Sequence, residues 1–189
     1  MTLPGWAVLR VHPTRRRNLR CLHYYSSSGP HVAETTGPPV LQQAVADAAV
    51  LGYDVLGVSG GEPMLYRPLD DLLRTARSHG MRTTVTSNGM LLTGRRLSEL
   101  AGLVDVLAIS LDGVPDSHVR MRQDPRSFAV MERRLPLEGQ RDGSPARRGA
   151  RPTLVVAGRR LTTPTTRPTL DRPHQPNHRR HALTAVPSV

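Results

Sequence analysis

Short apolar runs and helical repeats alternate along the chain from residue 7 to about residue 134. Ala7, Val8, Leu9 and Val11 form the first strand-like run, which Pro13 stops. Val40, Leu41, Ala44, Val45, Ala48 and Leu51 then recur along one face of a helix, and Gly52 closes it. Residues 54–59 read as a second, largely apolar strand. Leu69, Leu72, Leu73 and Ala76 repeat the helical spacing, with Gly80 as the stop. A third strand is expected over 82–86, a third helix over 94–101 and a fourth strand over 104–111.

A helix in the gaps between successive strands is the rhythm of βα units around a parallel sheet. Right-handed crossovers then bring the loops that follow the strands to one end of that sheet, where ligands of α/β proteins bind. Every residue of chemical interest falls in such a loop. The first loop spans 13–28, the second carries Gly60, Gly61, Glu62 and Pro63, the third Ser87, Asn88 and Gly89, and the fourth Ser110, Leu111, Asp112 and Gly113.

The alternation ends near Leu135, which divides the chain into an α/β core at 1–135 and a tail at 136–189. The tail holds 8 of the 17 prolines, 10 arginines and no aromatic residue, too little apolar surface to offset the entropy of ordering. It is expected to be disordered, with 153–157 as a solitary strand candidate. A truncated gene or an altered reading frame would give such a composition.

Charge follows the same division. All 26 basic residues are arginine; 16 of them face 12 acids before the boundary, and 10 face 3 acids after it. The excess is therefore concentrated in the tail, and without aromatic side chains for base stacking it argues against a nucleic-acid partner. No apolar run approaches the roughly 18 residues of a membrane span, and the early arginines follow the apolar stretch, the wrong order for a secretory signal. A cytoplasmic location is the expectation. Cys21 is the sole cysteine, so an intramolecular disulfide framework is excluded.

The segment from Thr14 to Tyr25 resembles the cluster loop of radical S-adenosylmethionine (SAM) enzymes, in which a Cys-x3-Cys-x2-Cys run follows the first strand. The three slots fall here on Arg17, Cys21 and Tyr24, with Asn18 and Leu19 after the first, His23 before the third and Tyr25 after it. Gly60-Gly61-Glu62-Pro63 matches the family's GGEP motif, and Ser87-Asn88-Gly89 and Ser110-Leu111-Asp112-Gly113 stand at its third-strand and fourth-strand positions. The resemblance implies a partial (β/α)6-type barrel with about four βα units, truncated at its C-terminus, with a sheet edge unpaired.

It also implies roles. The paired glycines would let the backbone approach a ligand, and the GGEP loop with Glu62 would meet the amino group of SAM. Ser87 and Asn88 would supply hydrogen bonds, Ser110 and Asp112 would bind ribose hydroxyls or the methionyl group, Arg122 would pair with the SAM carboxylate and His23 would line the adenine pocket. Ordinary turns, a helix cap and solvated surface residues account for the same letters, and both readings stand at this point.

The family's chemistry uses a 4Fe–4S cluster on three thiolates and an electron donor to cleave SAM reductively; the resulting radical abstracts hydrogen from a substrate. Cys21 is the one thiolate here. An arginine has no lone pair to donate, and a phenol with a pKa of about 10 is a hard ligand poorly matched to a sulfide cluster. The expectation is a degenerate copy that holds no stable cluster and is inactive. The alternative is a non-catalytic relic that binds SAM or a partner. The substrate of an intact form is not legible, with a peptide or a small biosynthetic intermediate as the candidates.

Overall fold

A computed structural model describes residues 6–22 and 28–134, together with the strands at 153–158 and 184–185. His23, Tyr24 and Tyr25, and most of the tail, lie outside the described residues.

The expected alternation is present. Strand β1 (Val8–Val11) leads to helix α1 (Pro38–Val50), β2 (Val55–Val58), a short 3-10 turn (Pro63–Leu65), α2 (Leu69–Ser78), β3 (Arg82–Ser87), α3 (Gly94–Leu100) and β4 (Val106–Leu111). All neighbours pair in parallel, with Val8 opposite Val55, Val55 opposite Arg82 and Thr84 opposite Val106. All four residues of β2 are buried, as a central parallel strand covered on both faces requires.

Local sequence explains the boundaries. Pro38 and Pro39 open α1, where a missing N–H costs nothing, and Gly52 follows it at φ +81°. In α2 the apolar face is Leu69, Leu72, Leu73 and Ala76, all buried. Asp70 and Asp71 occupy its first turn and Arg77 its last, the order the helix dipole favours. Leu56, Val58, Val85, Leu107 and Ile109 from the strands pack with Val45, Leu72, Leu73 and Leu100 from the helices into one core.

Two features differ from the sequence expectation. Residues 115–134 form two helices, α4 (Pro115–Arg122) and α5 (Ser127–Arg134), which the apolar spacing did not announce. The stretch expected as a solitary strand within a disordered tail is β5 (Thr153–Gly158). It pairs with β4 over six residues, from Val106 opposite Thr153 to Leu111 opposite Gly158. A further short strand, β6 (Thr184–Ala185), pairs with β1. The sheet order is therefore β5-β4-β3-β2-β1-β6, and the edge of β4 expected to be bare is covered.

Candidate functional site

Because β1 to β4 are parallel, the loops after Val11, Val58, Ser87 and Leu111 emerge at one end of the sheet, and hydrogen bonds stitch them together. The Gly61 amide donates to Thr14 O at 2.8 Å and the Glu62 amide to Arg16 O at 2.9 Å, so the second loop lies directly on the first. Gly60 turns the chain at φ +102°. A methyl group at Gly61 would collide with Arg16 O and come within 2.8 Å of Thr14 O. The close approach that the sequence suggested is made to the chain's own backbone.

Glu62 ties the third loop to this pair. Its side chain is fully buried; Oε1 accepts from Ser87 Oγ at 2.8 Å and from Met64 N at 3.2 Å, and Oε2 accepts from Asn88 N at 2.9 Å. Asn88 in turn donates from Nδ2 to Asn18 Oδ1 at 2.8 Å, back to the first loop. The carboxylate and the two side chains expected to meet a ligand thus hold three loops in register.

Burial pushes the Glu62 carboxyl above its ordinary value, against the pull of hydrogen bonds from Asn88, Ser87 and Met64 and of the Arg17 charge. A carboxyl raised in the folded state contributes stability that is fully present below its unfolded pKa and lost as pH rises through the folded one. The stability difference between the wild-type chain and Glu62→Gln should therefore shrink as pH rises from about 4.5 through the raised folded-state pKa, by about 1.4 kcal/mol for each unit of raised pKa. The Gln amide faces a donor, which adds a pH-independent loss of about 1–3 kcal/mol. Urea denaturation of both proteins across that range measures this; a constant difference would show that Glu62 does not titrate upward.

The fourth loop forms the other wall. Asp112 and Arg122, expected to contact different parts of a ligand, pair with each other, Nε to Oδ2 at 2.6 Å, and both are buried. Arg122 also donates from Nη2 to Ser110 O at 3.2 Å and from Nη1 to the sulfur of Cys21 at 3.8 Å. The first loop is pinned to α4 again where Leu22 N donates to Met121 O at 2.9 Å. His118 is buried beneath this wall and accepts from Asp112 N at Nδ1, 3.2 Å away. Its ring meets Phe128 edge to face at 5.8 Å. Burial first, then the Arg122 charge, lowers the His118 pKa, consistent with a neutral ring accepting at Nδ1.

Arg17 stands between the two walls, only 4% exposed. Burial and then the neighbouring Arg122 lower its pKa to about 10, while the Cys21, Glu62 and Asp112 charges raise it; it remains a cation at neutral pH. Beside it is a cavity of about 170 Å3 lined from all four strands and loops, including Arg10, Arg17, Gly60, Gly61, Asn88 and Ser110.

Residues 12–134 match the sequence profile described as the Radical SAM superfamily. The chain belongs to that superfamily. Among radical SAM relatives it is 32% identical over 126 residues to the Fe-coproporphyrin III synthase of Methanosarcina barkeri, covering 65% of this chain and 31% of that protein. It is also 32% identical over 119 residues to the PqqA peptide cyclase of Ruegeria pomeroyi, covering 61% of this chain and 32% of the relative. The solved structure of Streptococcus suis SuiB bound to S-adenosylmethionine shares the fold with a TM-score of 0.55 and 18% identity, over 67% of this chain and 30% of SuiB. The chain spans about a third or less of the length of the curated relatives it matches.

Radical SAM membership implies a 4Fe–4S cluster in the first loop, and the described donors do not fit one. Of the three positions that the resemblance assigns to cluster ligands, Arg17 is a buried guanidinium, Cys21 accepts from Arg122 at its sulfur, and Tyr24 lies outside the described residues. Among the described residues no group of three His, Cys, Asp or Glu side chains can hold a metal ion. None of the described helices is long and apolar enough to cross a membrane.

Of the residues singled out from sequence, Gly60, Gly61, Glu62, Pro63, Ser87, Asn88, Ser110, Asp112 and Arg122 all gather at this mouth with Arg17 and Cys21; His23 lies outside the described residues. Sequence reasoning missed Arg10 and His118. Arg10 follows an apolar residue in a strand and faces the cavity from β1, which strand alternation alone signals. Nothing in the sequence around His118 distinguishes it from the chain's other histidines.

Proposed function

We propose that this chain is a radical SAM protein that has kept the loops of the SAM cup and lost the redox chemistry, so that it does not cleave SAM. One observation carries the reading: a guanidinium, 4% exposed and held among Cys21, Glu62, Asp112 and Arg122, fills the slot of the first cluster thiolate. A fixed cation there opposes iron electrostatically and offers it no lone pair. Anaerobic reconstitution with iron and sulfide, followed by paramagnetic resonance and a SAM cleavage assay, tests it. The expected result is no cluster signal and no 5′-deoxyadenosine above the protein-free control; a 4Fe–4S signal with reductive SAM cleavage would overturn the reading.

A second reading, a SAM-binding relic, is supported by the four loops converging at one mouth and by the related SuiB structure, which is bound to S-adenosylmethionine. Micromolar binding of SAM to the metal-free protein by calorimetry would support it. The partner class we assign is a peptide or a small biosynthetic intermediate, for which the match to a cyclase named for the PqqA peptide speaks.

A further inference from the structure

Replacing a cluster thiolate by arginine changes the sign of the niche as well as removing a ligand. The residues that line the cavity beside Arg17 include two guanidiniums, Arg10 and Arg17, and no carboxylate. Of the nearby acids, Glu62 accepts hydrogen bonds from Ser87, Asn88 and Met64 and Asp112 is paired with Arg122 at 2.6 Å, while the charges of both also act on Arg17. Ser59 and Ser110 border the same space. At about 170 Å3 it is smaller than the roughly 300 Å3 at which sites for drug-sized molecules begin, so a nucleoside does not fit inside it.

We propose that this cavity is a binding site for a small oxyanion of the phosphate class, held by Arg17 and Arg10 where the family would place its cluster. The inference rests on the reading that Arg17 has displaced cluster chemistry. Arg17 is the inner anchor: its planar fork matches two oxygens of a phosphate, and its burial keeps water from screening the pair. Arg10 is exposed and supplies the outer charge at the mouth. Free phosphate and the terminal phosphoryl group of a larger ligand share this chemistry.

Calorimetry of the full metal-free chain with inorganic phosphate, at constant ionic strength against chloride, tests the site. The chain carries 26 arginines, whose charges also attract phosphate, so the comparison with variants is decisive. Arg17→Gln is expected to weaken phosphate binding about tenfold or more, the size of a lost charge-assisted pair, and Arg10→Gln by a few-fold. Arg10 is exposed, so Arg10→Gln serves if Arg17→Gln fails to fold. Phenyl phosphate provides the second arm: affinity equal to that of phosphate assigns the site to the free anion, and at least about tenfold tighter binding assigns it to the phosphoryl end of a larger molecule. Phosphate binding that is undetectable, or unchanged in both variants, overturns the proposal. That failure is separate from failure of the functional reading, which iron reconstitution alone decides.

Discussion

The Arg17→Cys/Tyr24→Cys double variant is expected to take up a 4Fe–4S cluster under anaerobic reconstitution that leaves the wild-type chain without one. The wild-type loop offers a single thiolate, Cys21, and a soft sulfide cluster needs three. The double substitution restores Cys-x3-Cys-x2-Cys spacing and removes a buried positive charge from the iron position in the same step. It also frees Glu62 and Asp112 from a neighbouring cation, so the Glu62 carboxyl is expected to rise further. Iron and sulfide analysis with paramagnetic resonance measures the gain; Arg17→Cys alone, with two thiolates, is expected to load only a small fraction. A folded double variant that stays free of iron would mean that the shape of the loop, rather than its donors, excludes the cluster.

How far the sequence disclosed this arrangement depends on the kind of signal each element carries. The strands and helices from Val8 to Leu111 were legible within a residue or three, because each buries a contiguous apolar face and ends at a glycine or proline. Helices α4 and α5 were not. In α4 the buried residues are His118 and Arg122, polar side chains that a hydrophobic count scores as surface. They are buried because Asp112 partners both, through its backbone N–H and its carboxylate, a contact with no sequence period. Strand β5 was visible as an apolar run between Pro152 and Arg159, but its partner, β4, lies more than forty residues earlier.

The site divides in the same way. Its membership was legible, since motif order brings four loops to one mouth, but its internal pairing was not. Glu62, expected to face a ligand, accepts hydrogen bonds from Ser87, Asn88 and Met64, and Arg122 and Asp112, expected to do the same, pair with each other. Short polar side chains in loops satisfy whichever donor or acceptor the fold brings within reach, and that choice is made by tertiary structure.

The glycine of the GGEP motif that matters most for the mouth is Gly61, and Gly61→Ala should be the most damaging single methyl added to this protein. Gly61 does not need a positive φ, unlike Gly60, Gly52 or Gly80, so backbone strain is not the issue. The obstacle is space: the new methyl meets Arg16 O, Arg15 C and Thr14 O, all main-chain atoms of the first loop that no rotamer change can move. Relief requires the two loops to part, which breaks the Gly61 N to Thr14 O and Glu62 N to Arg16 O hydrogen bonds and loosens the enclosure of Glu62. The combined loss should be about 3 kcal/mol or more, a large fraction of a small domain's stability. Two controls grade the effect. At Gly52, φ is +81° and an added methyl meets no atom within 4 Å, so Gly52→Ala should lose only the left-handed strain of about 1–2 kcal/mol. At Gly94, in the first turn of α3 with open space around it, alanine should be neutral or add up to about 1 kcal/mol. Chemical denaturation of the three variants reads the order directly. A Gly61→Ala protein as stable as the Gly94→Ala one would show that the first and second loops do not lie in contact.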